Sequence, residues 1–108
     1  MGEDSNIDIA TWARGEELVI QVDGEVDLWT AHRFEEALSS ARCSEAPRIV
    51  VDLDRVTFMD STGMHVLIQS AVSDGMRRRL TVTRGSPQVR RLFAVSGVGR
   101  YLTFAPAR

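Results

Sequence analysis

Apolar residues recur on two different spacings along this chain, and each change of spacing predicts where a strand gives way to a helix. Ile7 to Ala13 alternates loosely, Arg14-Gly15-Glu16 reads as a turn, and Leu18, Ile20 and Val22 repeat with period two before Asp23-Gly24 ends the run. That pattern predicts a hairpin. Phe34, Ala37, Leu38 and Ala41 stand at helical spacing, so an amphipathic helix follows, its start capped by Thr30 or Asp27. Ser44 to Pro47 is a loop. Arg48 to Leu53 is β-branched and apolar almost without a break, as in a strand covered on both faces, and reads as the central strand. Asp52 to Asp60 is expected to connect it to a second helix. On that helix Met64, Leu67, Ile68 and Ala71 fall at i, i+3, i+4 and i+7, and Asp74-Gly75 closes it. Leu80 to Thr83 is a further strand, Ser86 caps a third helix with Pro87 at its first position, Gly97 stops it, and Tyr101 to Phe104 is a last short strand.

A hairpin followed by alternating helices and strands predicts an α/β fold, a mixed sheet of about five strands with helices packed on it and right-handed crossovers. In such sheets ligands and partners meet the loops at the carboxyl ends of the parallel strands. Gly24 to Thr30 and Asp52 to Gly63 both follow strands, so Asp27 is expected near Ser61.

Composition narrows the function classes. A chain of 108 residues is expected to form a single domain, residues 1–108, with one core. A formal charge of −2 and a pI near 5.6 give no electrostatic footprint for nucleic acid. Cys43 is the lone cysteine and has no partner for an internal disulfide; no apolar run approaches the roughly 20 residues needed to span a bilayer. Residues 1–6 are polar and expected to fray, and Met-Gly-Glu-Asp-Ser-Asn carries neither a signal-peptide core nor a myristoylation pattern. A soluble cytoplasmic protein without a membrane partner is the reading.

The chemistry concentrates in Met59-Asp60-Ser61-Thr62-Gly63-Met64, where a strand hands over to a helix with a hydroxyl in its first turn. Asp60, Ser61 and Thr62 are all competent caps, and Gly63 permits a close approach of the backbone. A plain capped helix start is what these residues most often make. His65 lies four residues after Ser61, on the same helical side, which invites a nucleophile and base pair with Asp60 as third member. No Gly-x-Ser-x-Gly elbow supports that, so no catalytic residue is expected. His32 and Cys43 are too isolated for a metal site. Arg77-Arg78-Arg79 reads as a solvated helix end, and a basic rim for an acidic partner is the minor alternative for Arg90-Arg91 on the third helix.

Val56-Thr57-Phe58-Met59-Asp60-Ser61-Thr62-Gly63 resembles the signature of the bacterial anti-sigma factor antagonists (anti-anti-sigma factors), members of the STAS domain family. Two further segments agree in order and spacing: Gly24-Glu25-Val26-Asp27 with Thr30, and Ser86-Pro87-Gln88-Val89-Arg90-Arg91-Leu92-Phe93 with Ser96-Gly97. The resemblance implies a STAS fold and a partner-binding switch rather than an enzyme. It implies that the unphosphorylated protein binds an anti-sigma factor that is also a serine kinase and so releases a sigma factor. Phosphorylation of Ser61 ends the interaction, and a PPM-type phosphatase restores it. ATP and magnesium belong to the kinase; this chain has no cofactor and touches no DNA. A phosphoryl group on Ser61 is expected to face the helix N-terminus, whose N–H groups tolerate an anion.

Around it, Asp27 and Asp60 are expected to orient the hydroxyl or meet the kinase, Thr62 to cap, Trp29 either to anchor the interface or to pack over the first helix, and Gly63 to let the partner close in. His65 departs from the small residue common in the family and alters the docking surface. The family's final helix is expected to be absent or rudimentary. The alternatives are a STAS subunit of a stressosome-like or lipid-transport assembly, and a small-molecule enzyme using Ser61 and His65.

Overall fold

A computed structural model describes residues 6–106, so the polar stretch expected to fray lies mostly outside the described residues. The chain runs β1 (Ile7–Arg14), β2 (Glu17–Val26), α1 (Ala31–Cys43), β3 (Arg48–Met59), α2 (Ser61–Val72), β4 (Leu80–Val82) and α3 (Pro87–Ser96), followed by a 3-10 turn at Val98–Tyr101. The sheet order is β1-β2-β3-β4, with β1 antiparallel to β2 and the other pairs parallel. It is the expected mixed α/β sheet with helices packed on it.

Register explains the burial. Leu18, Ile49 and Leu80 align across the sheet, as do Ile20, Val51 and Val82. Alternation puts both rows on one face. There they join Phe34 and Leu38 of α1, Leu67 of α2, and Val89 and Phe93 of α3 in one core. The intervening row, Trp12, Val19, Val50 and Thr81, lies on the other face. Val19 and Val50 are buried there too, while Trp12 is 40% exposed, so the unbroken apolar run of β3 reflects burial on both sides.

Three expectations are corrected. The fifth strand is not formed: the chain turns at Gly97 into the 3-10 segment, and Phe104 alone bridges Val82. One pair of bonds secures it, Val82 N–H to Thr103 O at 2.9 Å and Ala105 N–H to Val82 O at 2.7 Å, leaving four strands. Asp52 to Asp60 is not a connection, because β3 continues through it to Met59. Val56 and Met59 are buried, but register shifts between Gln21 and Asp23 and between Gly24 and Glu25 break the period-two pattern that would have betrayed a strand. β2 also runs past Asp23-Gly24 to Val26, which keeps the phase of Leu18, Ile20 and Val22. Gly24 takes φ 107°, and a methyl there would run into the Asn6 carbonyl, which accepts the Glu25 N–H at 2.8 Å.

The arginine run is the third. Arg77 and Arg78 are exposed, but Arg79 turns back onto the end of α1. Its guanidinium donates to the carbonyls of Ala41 (3.3 Å), Arg42 (3.1 Å), Ser44 (3.0 Å) and Ala46 (3.0 Å), and to Gly75 (3.4 Å) in its own loop. Helix C-terminal carbonyls lack intrahelical donors, and a planar fork of five N–H groups meets several at once.

Candidate functional site

β2 and β3 are parallel and end together, with Val26 opposite Met59. The next residues, Asp27 and Asp60, therefore leave the same edge of the sheet, and the Asp60 N–H donates to Val26 O at 3.1 Å. Asp27 and Ser61, 34 positions apart in sequence, are thus brought to one edge. The carboxyl ends of these two strands form the site.

Each acid secures the chain that follows it. Asp27 Oδ1 accepts from the Trp29 N–H (2.9 Å), the Thr30 N–H (3.2 Å) and the Thr30 hydroxyl (3.2 Å). Thr30 is buried, and its hydroxyl also bridges Glu25 O and the Asp27 N–H, so Asp27 rather than Thr30 supplies the side-chain acceptor for the turn into α1. Asp60 is the N-cap of α2, its Oδ1 accepting from Thr62 N–H (2.9 Å) and Gly63 N–H (3.2 Å). Capping falls to Asp60, not to Thr62, whose side chain is half-buried.

Ser61 is exposed at the first position of α2, and His65, also exposed, is one turn on. An α-helix start leaves four N–H groups without intrahelical partners. Here three are taken: Asp60 N–H by Val26 O, and Thr62 and Gly63 N–H by the Asp60 carboxylate. The expected N–H cradle for a phosphoryl group is already occupied by an acid. The same commitment of Asp60 argues against its serving an imidazole in a triad.

Gly63 faces inward. A Cβ there would lie 2.6 Å from Val26 Cγ1, 3.0 Å from Val26 O and 3.1 Å from Met59 Cγ, so its smallness presses α2 onto the sheet instead of admitting an outside molecule. Trp29 is 68% exposed, and sequence reasoning missed its neighbours: Leu28 is 68% and Phe58 48% exposed at the same end of the sheet. All three large apolar side chains are thus left in water near the polar edge. The signal for Leu28 was present, since an apolar residue between Asp27 and Trp29 belongs to neither flanking periodicity. No group of three or more His, Cys, Asp or Glu that could hold a metal occurs among the described residues, and no described helix is long and apolar enough to cross a membrane.

Comparison with known proteins bears on this geometry directly. The family profile described as "Mlab, STAS domain" matches residues 9–104. The anti-sigma-B factor antagonist of Listeria monocytogenes is 36% identical over 80 residues, 73% of this chain and 70% of that protein. The crystal structure of an anti-sigma factor antagonist from Mycobacterium paratuberculosis superposes with a TM-score of 0.83 at 27% identity, over 94% of this chain and 86% of that one. The anti-sigma factor antagonist SpoIIAA in its unphosphorylated form gives 0.70 at 25% identity, over 92% and 89%. With the profile covering nearly the whole chain and the sheet order, helix start and site edge as described, the chain belongs to the STAS domain family, among the bacterial anti-sigma factor antagonists.

Proposed function

We propose that this protein is a cytoplasmic anti-sigma factor antagonist, switched by phosphorylation of Ser61. The observation that carries the reading is the exposed Ser61 hydroxyl at the edge where β2 and β3 end, beside the exposed Leu28, Trp29 and Phe58. Unmodified, this edge docks an anti-sigma factor with serine kinase activity, which then lets go of its sigma factor. The kinase moves the γ-phosphoryl group of magnesium-bound ATP to Ser61: the Pγ–Oγ bond to serine forms, the bond to the ADP oxygen breaks, and the hydroxyl proton passes to a base of the kinase. Ser61 is a substrate, and this chain performs no catalysis.

The phosphoserine carries about −1.5 to −2 charges. Asp60 precedes it and Asp27 leaves the same sheet edge, and three of the four helix N–H groups that would neutralise it are engaged, so most of the added charge stays on the surface the partner must desolvate. Release follows, and a PPM-type phosphatase hydrolyses the ester to reset the switch. That SpoIIAA is described in an unphosphorylated form supports the reading by analogy.

The test is capture of partners from the cytosol of the source organism on the unmodified protein, followed by addition of ATP and magnesium to the captured complex. An anti-sigma factor retained before ATP, phosphate mapped by mass spectrometry to Ser61, and none on Ser61→Ala are expected. Phosphate on the Ala protein, or a kinase partner held equally by phosphorylated and unmodified protein, would remove the switch. Capture of a transport complex or a multi-subunit scaffold instead would select the alternative STAS assignment.

A further inference from the structure

The first turn of α2 leaves a phosphate on Ser61 one backbone donor, the Ser61 N–H itself, since Asp60 holds two of the four free N–H groups and Val26 O a third. One N–H does not balance a dianion, so a further group must meet the charge or most of it stays unopposed. On α2 the candidates reduce to one, because among Ser61–Val72 the only side chain able to carry positive charge is His65. It is exposed, as Ser61 is, and i, i+4 positions on a helix share a face with Cβ atoms about 6 Å apart. A phosphoserine oxygen and an imidazole nitrogen both extend beyond Cβ, which closes that gap to hydrogen-bond distance.

We infer that His65 is the intramolecular partner of a phosphate on Ser61 and makes the strength of the switch depend on pH. This rests on the phosphosite reading above. An imidazole and a phosphomonoester both titrate near neutrality, so imidazolium and dianion coexist and favour each other when adjacent. With His65 protonated the phosphate and imidazole together leave about one net negative charge on the modified docking edge; with it neutral, nearly two. Acidification therefore weakens the repulsion that releases the partner, and alkalinity strengthens it.

Among the neighbouring elements α1 carries one further imidazole, the exposed His32 in its first turn, which the test below controls for; the other charged groups do not supply a substitute. Asp60 and Asp27 at the site edge are acids, each bound to backbone N–H groups. α1 brings Glu35 and Arg42 to the groove lined by Val66, Gln69, Ser70 and Ser73, on the adjoining side of α2. The 3-10 turn brings Arg100, with Arg77, to Ala71 and Val72 at the far end. α3 reaches α2 through Ser96, whose hydroxyl meets Met64 Sδ at 3.5 Å, an uncharged contact.

The experiment needs no kinase. Phosphoserine is installed at position 61 during translation by amber suppression, and the phosphorus-31 shift is followed against pH in the native background and in His65→Gln. The phosphate's second titration midpoint is expected several tenths of a pH unit lower with the native imidazole than with the neutral amide of the variant, a difference that shrinks at high salt. The His65 ring protons should shift on phosphorylation, and the difference in phosphate midpoint should persist when His32 is replaced in both proteins by His32→Gln. Identical phosphate titrations in both proteins, with circular dichroism showing both folded, would overturn the pairing. A paired phosphate in a protein that captures no anti-sigma factor would leave the pair standing and remove the functional reading alone.

Discussion

Replacing Gly63 by alanine tests how tightly the site helix is pressed onto the sheet. The new methyl would sit 2.6 Å from Val26 Cγ1, about an ångström inside van der Waals contact, and 3.0 Å from the Val26 carbonyl oxygen. Neither neighbour can yield easily. Val26 is fully buried with a β-branched side chain, and its carbonyl is held by the Asp60 N–H. Overpacking of this kind costs about 1–3 kcal/mol, and alanine's better helix propensity returns up to about 1 kcal/mol. The net loss should be about 1–2 kcal/mol, a fall in Tm of roughly 5–10 °C for a domain of this size. Thermal and urea denaturation measure it, with Gly99→Ala as control, since a methyl at Gly99 would meet nothing nearer than 3.8 Å. A Gly63→Ala protein as stable as the native one, with Gly99→Ala equally neutral, would refute the claim that Gly63 exists for close packing.

Substitutions at three further positions separate fold from function. Arg79→Ala should cost about 2–4 kcal/mol in urea denaturation, because several charge-assisted bonds to carbonyls at and just past the end of α1 are lost together, and Arg79→Lys should recover only part of it. Asp60→Ala should lower stability by about 1 kcal/mol, whereas Asp60→Ser, which keeps a capping oxygen, should lose less than half of that by the same measurement. Trp29→Ala should leave Tm within about 2 °C of native because the ring is 68% exposed, yet weaken capture of the anti-sigma factor at least about tenfold; equal affinity in calorimetry would take Trp29 out of the interface.

Local signals carried most of the architecture. Period-two and helical spacings located both hairpin strands, all three helices and the core of β3, and Ser86-Pro87 marked the start of α3. The misses share a physical origin in long-range pairing. β3 extends past its regular pattern because two register shifts let Val56 and Met59 reach the core out of phase, which becomes visible only when the strands lie side by side, and β2 keeps its phase through Gly24 to Val26 alongside it. Arg79 looked like its two neighbours because its acceptors are backbone carbonyls more than thirty positions away, and backbone groups leave no mark in a sequence. At the site, the meeting of Asp27 with Asp60 followed from strand direction alone. That Asp60 rather than Thr62 would cap, and that Gly63 would turn inward, depended on the helix phase relative to Val26 and Met59.

The bond from Asp60 N–H to Val26 O ties the residue before Ser61 to the last residue of β2, whose side chain is wholly in the core. A switch residue anchored this way does not sit on a loop that orders and disorders. Its platform opens only when the sheet end opens, so the Asp60 amide should be among the slowest to exchange with deuterium, with and without phosphate. Such rigidity makes association with a partner less costly in entropy, and under the proposed switch it leaves residence time as the quantity that phosphorylation would alter. On that proposal the protein is a fixed key with one tooth added or removed, and the partner that reads it supplies the moving parts.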